Sequence, residues 1–288
     1  MKIGTPSAAP DHRMQMRAVA ERLTLPLKLG LRRTTGNVSG AGAGSSIDFQ
    51  DHRPYVPGDD PRHIDWQAYA RSGHYTMKLY REEVRPLADI VLDTSASMFL
   101  DADKSRRTME LAWFCLESAQ RSGAAVRIYS LQGATVTPHE SLAGWDFARP
   151  PTSQAATPPE LHRIPWRAAS LRVFISDLLF PVTPDVFIPP LFSGRGRAII
   201  FAPHCLAESQ PDWLGNTELL DCEGSGRRDL RFHAEDLRFY ADTYKNHFEL
   251  WRTETRRHGM PFARIAAEPA FADALSLEGI PSGAVELN

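Results

Sequence analysis

The hydrophobic pattern divides the chain into an irregular N-terminal third and a longer region in which short apolar runs alternate with amphipathic stretches. Asp89 to Asp93, Ala125 to Leu131, Leu171 to Asp177, Arg197 to Ala202 and Pro261 to Ala266 are brief runs rich in β-branched and aromatic residues, and each reads as a strand. Between them, Lys104 to Ser122 places Met109, Leu111, Ala112, Cys115, Leu116 and Ala119 on one helical face, with Gly123 as its stop signal. Phe232 to Arg257 does the same with Leu237, Tyr240, Ala241, Tyr244, Phe248 and Trp251. Thr183 to Phe192, entered after Pro184, and Pro269 to Leu277 are further helix candidates, and Glu218 to Asp221 is a short strand candidate. Strands alternating with helices predict an α/β fold, a mostly parallel sheet covered on both faces.

The earlier residues follow neither period for long. Residues 1–46 are expected to form a flexible N-terminal arm, with a short helix over Asp11 to Leu23 and a Gly- and Ser-rich run from Gly36 to Ser46. Residues 47–86 form a lead-in packed on the following domain, and His74 to Tyr80 alternates as a strand does. Residues 87–288 make up the α/β domain. Inside it, 133–168 is rich in Pro, Ala and Thr and reads as a long loop.

Composition removes several function classes. With 42% hydrophobic and 24% charged residues, the chain is ordinary globular material. Its 33 Lys and Arg against 35 Asp and Glu leave a formal charge of −2, and the Arg pairs at 32–33, 106–107, 227–228 and 256–257 are scattered, so nucleic-acid binding is not expected. Cys115, Cys205 and Cys222 are odd in number and far apart, which suits neither a disulfide framework nor a zinc site. With no signal-peptide core and no stretch of 18 uncharged apolar residues, a cytoplasmic location without a membrane span is expected. Phosphate-binding glycine loops, a nucleophile elbow and a His-Glu-x-x-His helix are all missing from the sequence, and His204 beside Cys205 makes no catalytic dyad.

The residues with most chemical content follow the first strand of the α/β region. Asp93-Thr94-Ser95-Ala96-Ser97 offers one carboxylate and two hydroxyls from alternate positions of a turn, at a strand's carboxyl end where doubly wound sheets bind ligands. Oxygen donors alone suit a small hard cation, Mg²⁺ or Mn²⁺, which keeps part of its water shell. Asp177, directly after another apolar run, stands where a second carboxylate could reach the ion through water. The competing reading is structural: serines after a strand cap helices, and an Asp at a strand end forms turns. In Tyr55 to Trp66, Gly58 suits a tight turn, Asp60 before Pro61 suits a cap, and Asp59, Asp60 and Asp65 invite pairing with Arg62 or Arg71. Metal binding by those three acids with His63 is the weaker alternative.

Asp89 to Met98 resembles the metal-ion-dependent adhesion site of von Willebrand factor A domains. Ile47 to Trp66, followed by Ala70-Arg71 and Tyr80 to Glu83, resembles the hallmark of the bacterial family called domain of unknown function 58. The resemblance implies a von Willebrand factor A-like, Rossmann-like doubly wound sheet. It also implies a Mg²⁺ site at Asp93, Ser95, Ser97 and Asp177, and work beside a MoxR-type AAA+ ATPase in chaperone-like maturation of protein complexes. The family's threonine, usually in a Gly-Thr pair, has no such counterpart between the second strand and Asp177, which leaves Thr152 or Thr157 for that role. The expected function is a non-catalytic adaptor whose metal accepts an acidic residue of a partner protein. A metal-dependent hydrolase using the same crevice, or a scaffold with a decayed metal site, are the alternatives.

Overall fold

The computed structural model describes residues 9–27, 47–82, 85–142, 157–222 and 226–288. In chain order its elements are α1 (Ala9–Arg22), β1 (Leu23–Thr24), β2 (Ile47–Pro54), α2 (Trp66–Ser72), β3 (Thr76–Glu82), β4 (Leu87–Asp93), α3 (Ala102–Arg121), β5 (Ala125–Gln132), β6 (Thr135–His139) and β7 (Leu171–Ile175). There follow α4 (Pro184–Phe187), β8 (Arg197–His204), α5 (Leu206–Ser209), β9 (Gly215–Leu220), β10 (Arg227–Phe232), α6 (Ala234–Arg257), β11 (Phe262–Ala266), α7 (Phe271–Ser282) and β12 (Glu286–Leu287). They fall into two compact units, Met1–Leu29 with Pro86–Asn288, and Gly30–Arg85.

The larger unit is an α/β structure around a six-stranded sheet of order β11-β8-β7-β4-β5-β6, compatible with a Rossmann-like fold. All neighbours pair in parallel except β6, which returns antiparallel on β5 at the edge. The strands β4, β7 and β8 are buried at nearly every position because both faces are covered. Along β4, Ile90 and Leu92 enter one core layer with α1, α3 and α7, while Val91 enters the other with α4 and α6. That two-residue alternation, under 2% exposed at all three positions, fixes the register of the central strand. The chain leaves β4 through α3 towards β5 on one side and later returns to β7 on the other. The switch point of the sheet therefore lies between the carboxyl ends of β4 and β7, the place where such sheets open into a crevice.

Residues 9–27 differ from the expected arm. Met16 and Ala20 of α1, with Leu23, Leu25 and Leu27, are part of the buried core. Arg13 Nε donates to Glu117 Oε1 at 2.8 Å, Ser118 Oγ accepts from Leu25 N at 2.8 Å, and β1 pairs with β12. The Gly36 to Ser46 run lies outside the described residues. The helix expected over Thr183 to Phe192 is instead α4 followed by a 3₁₀ segment from Pro189, because Pro189 and Pro190 remove two backbone donors from an α-helical ladder. No helix among the described residues is long and apolar enough to cross a membrane.

The smaller unit is a hairpin of β2 and β3 with an irregularity between Phe49 and Asp51, joined through α2. Its acids act locally. Asp59 accepts both Nη atoms of Arg53 at 2.7 Å and Val56 N at 2.9 Å, which closes the turn where Gly58 sits at φ 110°. Asp60 accepts from Arg62 N and caps the 3₁₀ turn Pro61–His63, and Asp65 accepts from Gln67 N and Ala68 N to cap α2. The closest guanidinium to these acids is that of Arg53, which the sequence did not single out, while the expected pairing of Arg62 with Asp60 is present but loose. The Arg62 side chain is 89% exposed and 4.0 Å from Asp60, Arg71 is exposed, and Trp66 is 58% exposed. Arg53 is favoured because it faces the turn from the adjacent strand.

Candidate functional site

The structure brings Asp93, Ser95, Ser97, Thr157 and Asp177 to the carboxyl ends of the strands. Asp93 ends β4 and is fully buried, with Oδ1 accepting from Ser95 N at 2.9 Å and Oδ2 accepting from Ser176 Oγ at 2.6 Å. These donors turn the chain so that the 3₁₀ segment Ala96–Phe99 starts directly after the carboxylate. Ser95 Oγ and Ser97 Oγ then lie 3.1 Å apart at the mouth of a crevice of about 570 Å³. Asp177 follows β7 and is 3% exposed. Its Oδ1 accepts from Leu179 N at 3.1 Å, across a turn in which Leu178 takes a left-handed φ of 61°. A buried leucine in that region carries strain of roughly 1–3 kcal/mol.

Thr157 lines the same crevice, whereas Thr152 lies outside the described residues. Glu160 N donates to Gly133 O at 2.9 Å, and a Cβ on Gly133 would come within 2.2 Å of Thr157 Oγ1. Gly133, at φ 52°, both makes the β5–β6 turn and leaves the room in which Thr157 sits.

Two groups that carry the electrostatics were not picked out from the sequence. Lys104, in the first turn of α3, is 1% exposed, and its Nζ donates to Ser97 O at 3.1 Å, to Asp177 Oδ2 at 2.7 Å and to Glu208 Oε1 at 2.5 Å. Burial pulls its pKa down, but the charges of Asp177 and Glu208 outweigh that and hold the ammonium above the ordinary lysine range. A cation in a helix's first turn opposes the helix dipole, which the paired carboxylates of Asp177 and Glu208 offset here. Asp93 is in the opposite position. Burial first, and the charge of Asp177 second, push its carboxyl up to about 7 despite the hydrogen bonds from Ser176 and Ser95.

Whether a small divalent ion suits these residues is decided by the donors. Two ligands at about 2.0–2.1 Å and at right angles about Mg²⁺ stand ~2.9 Å apart, close to the spacing of the Ser95 and Ser97 hydroxyls. Asp93 brings a buried negative charge whose hydrogen-bond partners, Ser176 Oγ and Ser95 N, are neutral. All of these donors are oxygens, a set that fits Mg²⁺ or Mn²⁺, with Ser95 and Ser97 lining the crevice and Asp93 fully buried outside that lining. Asp177 and Glu208, by contrast, are already neutralised in part by Lys104. Among the described residues no three His, Cys, Asp or Glu side chains form a metal-binding group. The case for a cation therefore rests on hydroxyls and one carboxylate.

The remainder of the lining is apolar or aromatic, including Leu179, Phe180, Trp213 and Tyr240. None of the described lining residues is a histidine, and burial and Glu208 raise the thiol of Cys205, which makes it a poor nucleophile.

Residues 51–142 match the family whose description is "Protein of unknown function DUF58". This stretch belongs to the DUF58 family. The match runs from the Arg53–Asp59 turn across Asp93, Ser95, Ser97 and Lys104 to the β5–β6 hairpin, so it includes the crevice-lining residues Ser95, Ser97, Leu100, Asp101 and Lys104. No curated protein matches the chain. Among solved structures, the conserved hypothetical protein BatB from Bacteroides thetaiotaomicron is similar over 68% of this chain and 98% of its own, at 9% identity and a TM-score of 0.34, a likeness too slight to carry an argument.

Proposed function

We propose that this DUF58 chain is a non-catalytic protein-binding adaptor built on a von Willebrand factor A-like domain. In this reading Mg²⁺ or Mn²⁺ is held by Asp93, Ser95, Ser97 and Thr157, and its free coordination position takes an acidic side chain of a partner. The observation that carries it is the hydroxyl pair, 3.1 Å apart, beside a buried carboxylate with no cation among its hydrogen-bond partners. An ion at that point would neutralise Asp93 and leave one net positive charge beside a crevice whose other charged described lining residues are Asp101, Asp177, Glu208, Asp221 and the ion-paired Lys104. The partner that the family resemblance suggests is a MoxR-type AAA+ ATPase, with maturation of protein complexes as the joint task.

The test is capture of the purified ATPase on immobilised protein in 5 mM Mg²⁺ (about physiological excess over a weak site) and again in EDTA, for the wild type and Asp93→Ala. Capture that needs both Mg²⁺ and Asp93 supports the adaptor. Capture unaffected by EDTA and by the substitution takes the metal out of the mechanism. The hydrolase alternative has less support, since among the described lining residues there is no histidine to act as base and the Cys205 thiol is raised by burial.

A further inference from the structure

The structure assigns to Lys104 a role that the metal-site motif does not contain: it is a built-in counter-ion that ties up Asp177 and Glu208 and so sets the crevice's affinity for a divalent ion low. This rests on the metal reading above and concerns the regulation of the same site.

Three facts carry it. The ammonium is enclosed, 1% exposed, and each of its three donors has an oxygen acceptor. One acceptor is the backbone carbonyl of Ser97, the residue whose hydroxyl is one half of the candidate ligand pair, so the fixed positive charge sits within one residue's breadth of where the ion would bind. The other two are carboxylates from elements distant in sequence, Asp177 after β7 and Glu208 in α5, so the same contact pins three separate segments around the crevice. Like charges repel most where water is excluded. An incoming divalent ion therefore meets Asp93 as its unneutralised carboxylate and Lys104 as an opposing charge, while Asp177 Oδ2 is occupied by its 2.7 Å contact with that ammonium. Removing the ammonium should release two carboxylates to the site and abolish the repulsion together.

The experiment is calorimetric titration of Mn²⁺ and Mg²⁺ into the metal-free full chain for wild type, Lys104→Met, Lys104→Gln, Lys104→Met with Asp177→Asn, and Asp93→Ala. Circular dichroism melts verify folding. If Lys104→Met fails to fold, Lys104→Gln, which keeps one hydrogen bond to the acids without the charge, decides the matter. The inference expects at least ten-fold tighter Mn²⁺ binding when Lys104 is neutral, and loss of most of that gain when Asp177 is also replaced. Binding no tighter than wild type by a folded Lys104 variant overturns it. If that happens while the wild type binds Mn²⁺ and Asp93→Ala does not, the metal reading survives and only the role of Lys104 is lost. If neither the wild type nor the Lys104 variants take up the ion at millimolar concentration, both fall.

Discussion

Asp93→Asn should stabilise the metal-free protein at alkaline pH and do little at acid pH. The carboxyl is fully buried and its folded-state pKa is about 7 against an ordinary value of 3.8. Below pH 3.8 the group is protonated whether the chain is folded or not, and it contributes nothing to the pH dependence. Between pH 3.8 and 7 the unfolded chain releases the proton while the folded chain keeps it, so stability falls as pH rises. Above pH 7 the penalty is complete, at roughly 3 units or about 4 kcal/mol as an upper bound. Asparagine keeps an acceptor for Ser95 N and carries no charge, but its amide meets the Ser176 hydroxyl, which must turn from donor to acceptor at a cost of ~1 kcal/mol. The expected net gain is about 2 kcal/mol at pH 8, shrinking to zero or a slight loss at pH 4.5. Urea denaturation in EDTA at the two pH values, for wild type and variant, measures the difference while other titrating groups cancel. A variant less stable than wild type at pH 8, or a difference that does not change with pH, would refute the reasoning.

Three further outcomes are expected. Gly133→Ala must adopt φ 52° and drive a methyl into Thr157 Oγ1, so it should lose roughly 1–3 kcal/mol in denaturant unfolding and weaken Mn²⁺ binding, whereas an unchanged midpoint would contradict the placement of Thr157. Asp65→Ala removes two N-terminal hydrogen bonds of α2 and the 2.8 Å contact with His52 of β2, and should cost about 1–2 kcal/mol locally, seen as faster amide exchange at Gln67 and Ala68. Trp251→Ala empties the centre of the α6 face, where the indole is wholly buried against Phe180 and Phe187, and should cost ~3–5 kcal/mol in urea denaturation.

The sequence disclosed most where burial was two-sided. β4, β7 and β8 are buried at nearly every position because helices cover both faces, whereas α3 and α6 show a helical stripe because one face of each packs into the core. Where one side meets water the signal thins. β10 is Arg227-Arg228-Asp229-Leu230-Arg231-Phe232, with five of its six positions exposed, and nothing in its polarity announces a strand paired with β9. β6 lies inside the stretch 133–168, whose Pro, Ala and Thr content predicts a loop, and the Pro138 within it is one that an edge strand tolerates. At the site, Asp93, Ser95, Ser97 and Asp177 stand out because strand ends mark them, and the sheet's switch point brings them together. Lys104 and Glu208 do not: in sequence each reads as a surface charge, and their contacts span 73 and 104 residues. Only the packing of α3 and α5 at the sheet's carboxyl edge turns a first-turn lysine into the counter-ion of two carboxylates.

The central claim, a cation seated between a buried aspartate and two serine hydroxyls, is tested most directly by anomalous diffraction from crystals grown or soaked with Mn²⁺. The account predicts one strong anomalous peak within coordination distance of Ser95 Oγ and Ser97 Oγ, beside Asp93, that vanishes in Asp93→Ala crystals. Crystals diffracting well in millimolar Mn²⁺ with no peak at that position, or with the peak only elsewhere on the molecule, would contradict it.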